Sequence, residues 1–192
     1  MGSTPAGRTN LMPDQPLPPH AYVAGKFPHP TRDPRGHSFG KPTLQVETVD
    51  PNRWRDCAPY QRGIDLFNHG YYWEAHEAWE SVWHAAGRHG STADFLKGLI
   101  ALAAAGYKAL EGQPEGVRRH AARARKLFRG LRLGKVGQAS CLSPPPPSAG
   151  DRHPACPTFP ERFMGLSLAD LVSYSAALEQ RPGRPAFTLD VK

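Results

Sequence analysis

The chain has 192 residues, of which 39% are hydrophobic, and it contains 21 prolines and 19 glycines. This length suffices for one folded domain, but the composition is too poor in apolar residues for a chain that folds throughout. The formal net charge is +7 at pH 7.

Three features of the sequence concern its location. Apolar stretches are too short to cross a bilayer, and the N-terminus lacks the apolar run of a signal peptide. The three cysteines are odd in number and show no metal-binding spacing, which argues against a disulfide framework. We therefore expect a cytoplasmic protein that does not contact a membrane.

Prolines gather in two segments that lack a sustained hydrophobic period. Residues 1–56 contain ten of them, and residues 134–160 include the run SPPPPSAGDRHPACPTFP. Such segments bury too little apolar surface to offset the entropy lost on ordering. We expect a largely disordered N-terminal segment at 1–56 and a proline-rich linker or insertion at 134–160.

Between 57 and 133 the hydrophobic pattern is helical throughout. Pro59 suits the first turn of a helix, and Gly70 and Gly87 supply the positive φ that ends one. The STAD sequence of Ser91–Asp94 has the pattern of a capping box, and the EGQPEG sequence is a further tight break. Four helices are expected, at about 57–68, 72–86, 92–111 and 114–132.

The third helix is apolar on nearly every side, so we expect it to be the central one. A short C-terminal helix within 161–180 is predicted by the sequence SLADLVSYSAALEQ, which Ser167 and Asp170 cap. Its apolar positions indicate that it packs on the other helices. Residues 181–192 form a tail.

A weak internal repeat relates FNHGYYWEAHEAWESV to ALEGQPEGVRRHAARA. In each segment a glycine is followed by a small or apolar residue five, nine and twelve positions later. This pattern is typical of antiparallel helical hairpins of the tetratricopeptide type. The sequence therefore predicts an all-α fold, with a tetratricopeptide-like four-helix domain of two antiparallel hairpins at 57–133 and a fifth helix docked on it.

The positive charge concentrates on the fourth helix. Residues 114–135 hold eight lysines and arginines against Glu115 alone. Such a helix can neutralise phosphates, but a solvated outer face is the commoner reason for this pattern. The only aromatic residue among the basic positions, Phe128, lies on the apolar side, which is against stacking with single-stranded nucleic acid. We do not expect nucleic acid as a partner.

Ionisable and aromatic side chains are dense in the second helix. Its sequence HEAWE is H-E-x-x-E, the zincin pattern H-E-x-x-H with glutamate as the last residue. His76 and Glu80 are four residues apart and project from successive turns of one face. In zincin chemistry they would bind a divalent metal, zinc or manganese, and Glu77 would be the catalytic base that polarises the attacking water.

A structural His76–Glu80 pair is the alternative interpretation. A histidine and a glutamate one turn apart at the border of a core commonly hydrogen-bond each other, because an unpaired buried ionisable group is costly. A catalytic metal site usually has three protein ligands, and the third could be Glu77, His120 or a residue of the third helix. The hydroxyl of Tyr107 needs a partner, for which the pair is a candidate.

The remaining side chains of the second helix are expected to be structural or solvated. At about 100° per residue, Glu74 points towards solvent. The three tryptophans of this helix, Trp73, Trp79 and Trp83, are expected to pack in the core and between hairpins.

The segments GIDLFNHGYYWEAHEAWESVWH and FLKGLIALAAAGYKALEGQPEG closely resemble the bacterial family called domain of unknown function three-hundred-nine, over about residues 60–132. The resemblance implies a small all-helical domain, and members have been labelled metal-dependent hydrolases on sequence grounds. Asn68, Glu74, Trp83 and Tyr107 are candidate supporting residues of the site. The positions that match the family signature are Asn68, Gly70, Tyr72, Glu74, His76, Glu77, Glu80 and Trp83, then Gly98, Leu99, Ile100, Tyr107, Gly112 and Gly116.

Two positions depart from the family pattern. Ala101 stands where a polar residue, usually glutamine, is expected, and Lys108 stands where histidine is frequent. Each departure removes a candidate third metal ligand.

Two hypotheses for the function follow. The first is a metal-dependent hydrolase that uses His76, Glu77 and Glu80. The alternative is a non-enzymatic helical-hairpin scaffold that binds a peptide, a protein partner or a second copy of the chain.

Limited digestion with trypsin tests the predicted domain organisation. The basic fourth helix offers many cleavage sites, which only folding protects, so residues 57–132 should persist while the proline-rich segments are cut. Mass spectrometry of the fragments identifies the cut sites. Rapid cleavage at Arg123 or Arg125 would contradict the four-helix assignment.

Overall fold

The computed structural model describes residues 10–41, 46, 49–133 and 161–192, so the predicted linker at 134–160 lies outside the described residues. In chain order the elements are a short 3-10 helix Pro51–Asp56, α1 Ala58–Asn68, α2 Tyr72–Ala85, α3 Gly90–Leu110, α4 Pro114–Arg132, β1 Arg162–Phe163, β2 Leu166–Ser167 and α5 Leu168–Gln180. The helices pack together, and the predicted all-α class is confirmed. None of the helices in the described ranges is long and apolar enough to span a membrane.

The glycines predicted to end helices lie where expected, whereas the predicted N-terminal cap of α3 does not form. Gly70 and Gly87 have φ of 85° and 73°, and they follow α1 and α2 as predicted. The capping-box prediction at Ser91 is wrong, because α3 begins at Gly90 and its first turn has no side-chain cap. Ser91 therefore lies inside the helix.

Helix α3 is the centre of the bundle. It packs against α2 on one side and α4 on the other, while α1 packs on α2 and α5 packs on α4. The side chains of Phe95, Leu96, Leu99 and Leu102 are completely buried. Burial of apolar side chains, at about 25 cal/mol per Å² of apolar surface removed from water, is the main stabilising contribution in a small helical domain.

Helix α4 is strongly amphipathic. Its buried residues are those predicted from the periodicity, namely Val117, Ala121, Ala124, Phe128 and Leu131. Helix α5 packs on it, with Leu168, Leu171 and Leu178 buried, and Arg125 pairs with Glu179 at 2.8 Å. The Ser167 hydroxyl accepts a hydrogen bond from the Asp170 N–H, which is the predicted cap.

A two-stranded antiparallel hairpin precedes α5 and was not predicted. Strands β1 and β2 have two residues each and pair Phe163 with Leu166. Met164 and Gly165 both have positive φ, as the tightest hairpin turns require. The hydroxyl of the fully buried Tyr60 donates to the Met164 carbonyl at 2.7 Å. Strands this short give a weak period-2 signal, which explains the omission.

Residues 10–41 of the N-terminal segment form turns and extended coil without a helix or strand, whereas Pro51–Asp56 at its end form the short 3-10 helix. Residues 10–41 nevertheless contact the bundle. The N–H groups of Leu11 and Met12 donate to the buried Asp65 carboxylate, each at 2.9 Å, and the Arg62 guanidinium donates to the carbonyls of residues 15 and 16. The disorder expected for residues 1–56 remains a prediction for the proteolysis experiment above.

Glycines at helix contacts provide a test of the packing. A Cβ added at Gly98 would overlap the ring of Phe128, whereas one added at Gly183 meets nothing within 4 Å. We expect Gly98→Ala to lower the free energy of unfolding by about 1–3 kcal/mol, despite the better helix propensity of alanine. Gly183→Ala should change it by less than about 0.5 kcal/mol. Urea unfolding followed by tryptophan fluorescence measures both, and equal stabilities would contradict the close packing of α3 on α4.

Candidate functional site

The three residues of the predicted metal site lie together on one exposed side of α2. The Nδ1 atom of His76 is 3.7 Å from Glu77 Oε1 and 3.9 Å from Glu80 Oε2. One potential ligand atom from each residue lies within 4.8 Å of the others. The carboxylates are 44% and 41% exposed, so the site is open to solvent on one side.

No hydrogen bond joins this histidine to either glutamate. Both distances exceed the range of a hydrogen bond, and His76 Nδ1 is buried without a hydrogen-bond partner among the described residues. A buried nitrogen that lacks a partner costs about 1–3 kcal/mol. The geometry therefore differs from that of a structural His76–Glu80 pair joined by a hydrogen bond.

A cavity of about 250 Å³ adjoins His76 and Glu80 where α2, α3 and α4 meet. Its residues on α3 include Ala101 and Ala104. Methyl groups at these positions leave open space beside the histidine. The full lining is His76, Glu80, Trp83, Lys97, Ile100, Ala101, Ala104, His120 and Arg123.

His120 lies on α4 and faces this cavity. Burial lowers its pKa, and the neighbouring Arg119, Lys108, Arg123 and His76 lower it further. Its imidazole is therefore favoured in the neutral form at neutral pH. Within the described residues, the group of close ligand atoms on α2 does not include it.

Trp83 forms one wall of the same cavity. Its indole Nε1 is buried and has no hydrogen-bond partner among the described residues. The cationic ends of Arg88 and Lys97 lie 5.5 and 5.7 Å from the ring centroid, within the range of cation–π attraction. By contrast, the fully buried Trp79 donates its Nε1–H to the Tyr60 carbonyl at 3.2 Å and belongs to the core.

The prediction that Glu74 points towards solvent is wrong. Glu74 is only 7% exposed. Its Oε1 accepts from the Tyr22 N–H at 2.9 Å and lies 3.1 Å from His37 Nε2, while Oε2 is buried without a partner among the described residues. The helical wheel placed Glu74 opposite the helical core correctly, but the N-terminal segment covers that side of α2.

Tyr107 is also covered by the N-terminal segment. Its hydroxyl accepts a hydrogen bond from the Ala24 N–H at 3.2 Å, and its ring stacks on Tyr22 with centroids 6.1 Å apart. Burial raises the pKa of Tyr107 to about 12, and the nearby Glu111 adds to the increase. The hydroxyl partner that the structure shows is thus Ala24 and not the His76–Glu80 pair.

Asn68 pairs with the C-terminal tail. Its side chain accepts from the Leu189 N–H at 2.7 Å and donates to the Leu189 carbonyl at 3.1 Å. This two-point amide contact holds the tail at Leu189 against the end of α1. In the structure, Asn68 therefore holds a chain segment rather than facing the cavity.

Lys97, Arg123 and His37 are site-region residues that the sequence did not single out. Lys97 and Arg123 come from different helices, and only the packing of α3 on α4 brings both to one cavity. His37 reaches Glu74 from 37 residues away in sequence. Long-range contacts of this kind leave no local periodicity by which they could be found.

The fold and the site define a small all-α protein with a group of potential metal ligands on its second helix. Residues 60–120 match the family model described as Domain of unknown function (DUF309). The matched region includes every ligand candidate on α2, whereas the N-terminal segment and α5 lie outside it. Comparison with curated proteins found no match.

The buried Glu74 carboxylate should anchor the N-terminal segment. Glu74→Ala leaves the Tyr22 N–H and His37 without their partner, so we expect a loss of about 1–3 kcal/mol in the free energy of unfolding and faster tryptic cleavage at the exposed Lys26. Glu77→Ala, measured with chelator present, is the matched control because Glu77 is on the same helix and exposed. Urea unfolding and timed digestion give the two readouts. If both variants behave alike, Glu74 is not an anchor.

Proposed function

We propose that this protein binds a divalent metal through His76, Glu77 and Glu80 and uses it for hydrolysis, in the reducing cytoplasm that the cysteine usage favours. The observation that carries the proposal is the buried His76 Nδ1, which has two carboxylates nearby but no hydrogen bond. A metal ion would give this nitrogen the partner that it lacks.

The spacing of the ligand atoms supports the proposal. Metal–ligand bonds of about 2.0–2.2 Å in a tetrahedral site place ligand atoms roughly 3.3–3.6 Å apart. The distances of 3.7 and 3.9 Å from His76 Nδ1 exceed this by only a few tenths of an ångström. Small rotations of the half-exposed glutamates suffice to reach it. Imidazole and carboxylate ligands together suit zinc or manganese.

Glu77 would then be a ligand in addition to, or in place of, the base predicted from the zincin pattern. Its Oε1 is the carboxylate oxygen nearest to His76 Nδ1. A site with three protein ligands and a fourth coordination position open to solvent matches a catalytic rather than a structural metal site. When bound, the metal would supply Lewis-acid activation of water. Glu77 and Glu80 would balance its charge, and His76 would hold it at the mouth of the cavity.

Metal titration of the full-length protein tests the site. After removal of metals by chelator, isothermal titration with Zn²⁺ or Mn²⁺ should show one equivalent bound, and His76→Ala and Glu80→Ala should abolish it. Binding to the folded state should also raise the melting temperature.

His84→Ala is the matched control for this titration. His84 lies on the same helix, but it is exposed and contacts Arg88 instead of the glutamates, so its removal should leave metal binding intact. A wild-type protein that binds neither metal, or variants that all bind as well as wild type, would end the proposal.

A peptide-binding scaffold is the second candidate function, and one observation favours it. The segment of turns and coil at residues 11–37 lies across α1, α2 and α3, where its backbone N–H groups donate to Asp65, Glu74 and Tyr107. The helical surface thus already holds a peptide segment. In this proposal the pairs α1–α2 and α3–α4 are tetratricopeptide-like hairpins, and another protein or a second copy of the chain could replace the segment.

A further inference from the structure

The cavity beside the ligand group contains positive charge that the metal proposal leaves unused. Lys97 on α3 and Arg123 on α4 both line it. Lys97 is 3.5 Å from Asp94, which is a long contact for an ion pair. Arg123 makes no hydrogen bond or ion pair within the described part of the chain, and its side of α4 is exposed. An arginine that is free beside a cavity suits an anionic oxygen ligand.

Uncharged donor groups point to the same conclusion. The indole N–H of Trp83 is buried without a partner among the described residues, and Trp83 lines the cavity. Indole nitrogen can only donate a hydrogen bond, so the group that satisfies it must be an acceptor. His120 on α4 also lines the cavity and adds an imidazole ring. Two cations and these ring nitrogens thus surround one space.

We propose that the cavity binds the phosphate group of a small phosphate monoester, with Lys97, Arg123 and the Trp83 N–H as its ligands, and that this ester is the substrate of the site. The inference rests on the proposed metal-dependent hydrolysis. Hydrolysis would form a bond between the water oxygen and phosphorus, break the ester P–O bond and move one water proton to the leaving alcohol oxygen.

The charge and size of the cavity favour a phosphate monoester over a carboxylate. A phosphate monoester carries close to two negative charges at neutral pH, which match the two cations. Its remaining oxygens can accept from Trp83. The volume of about 250 Å³ exceeds that of a phosphate group alone, and the apolar side chains of Ile100 and Ala104 are positioned to contact a small organic group.

The basic surface of α4 assists this assignment. Positive potential along a helix raises the local concentration of anions and their rate of association. The partly exposed Glu80 carboxylate, which also lines the cavity, would by itself repel an anion. Binding beside Glu80 therefore depends on Lys97 and Arg123, which makes these two residues the decisive ones to alter.

Binding of inorganic phosphate to the chelator-treated full-length protein is the first experiment. The indole N–H signal of Trp83 in a proton–nitrogen NMR spectrum, assigned by Trp83→Phe, should shift on titration. Lys97→Gln and Arg123→Gln should each weaken phosphate binding by about tenfold or more, as expected for loss of a charge-assisted hydrogen bond. Arg129→Gln is the control, because it removes the same charge from an exposed position of α4 that does not line this cavity.

Filling the cavity provides an independent variant that keeps every charge. Ala104 is half-buried on α3, so Ala104→Leu should occupy the space with little strain in the core and abolish phosphate binding. Metal titration of the same variant should remain as in wild type. Acetate is the probe for a carboxylate ligand and should bind at least tenfold more weakly than phosphate.

Hydrolysis by the manganese-loaded protein completes the test. We expect turnover of para-nitrophenyl phosphate but not of para-nitrophenyl acetate, with loss of turnover in Arg123→Gln at unchanged metal affinity. Metal binding without phosphate binding, or equal affinity for acetate and phosphate, would overturn the substrate assignment and leave the metal site standing. Phosphate binding that depends on Arg123 in a protein that binds no metal would overturn the proposed function instead.

Discussion

Direct contact between aromatic rings and glycine backbone is the constraint on which the bundle depends. Gly63 lies against Trp79, Gly98 against Phe128 and Gly106 against Tyr72, and at each position the space that a Cβ would need is occupied by the ring. These contacts tie α1 to α2, α3 to α4 and α3 to α2. The positions of His76 on α2, Lys97 on α3 and Arg123 on α4 follow from them, because interiors packed at this density leave little freedom for helices to slide.

Helix α2 has two polar sides, of which one is covered by the N-terminal segment and the other is open to solvent. Glu74 is buried under the N-terminal segment, where Tyr22 and His37 satisfy one of its oxygens. Glu77 and Glu80, less than two turns further along, remain about half exposed beside His76. A buried carboxylate requires fixed donors, whereas an exposed one is free to rotate towards a cation. The same residue type therefore serves as an anchor at one position and as a candidate ligand at the other two.

The proposed metal and phosphate sites complement each other electrostatically. The glutamates of α2 supply negative charge to a cation, and Lys97 and Arg123 supply positive charge to an anion in the adjoining cavity. A metal would also relieve the repulsion between Glu80 and an incoming phosphate. Ala101 contributes by being small. Its methyl group leaves space in the cavity for a ligand from outside the protein.

The sequence by itself determined the helices, their order and the ligand group on α2. Hydrophobic periodicity identified the buried face of α4 residue by residue, and glycines marked the ends of α1 and α2, because both are local properties of a helix. The spacing of four between His76 and Glu80 was enough to place them side by side. Only the tertiary structure decided that Glu74 is buried, that Tyr107 bonds to Ala24 and that Lys97 and Arg123 share a cavity. These features join residues that are far apart in the chain. They depend on which helix faces and coil segments cover one another, and a single sequence carries no periodic signal for such contacts.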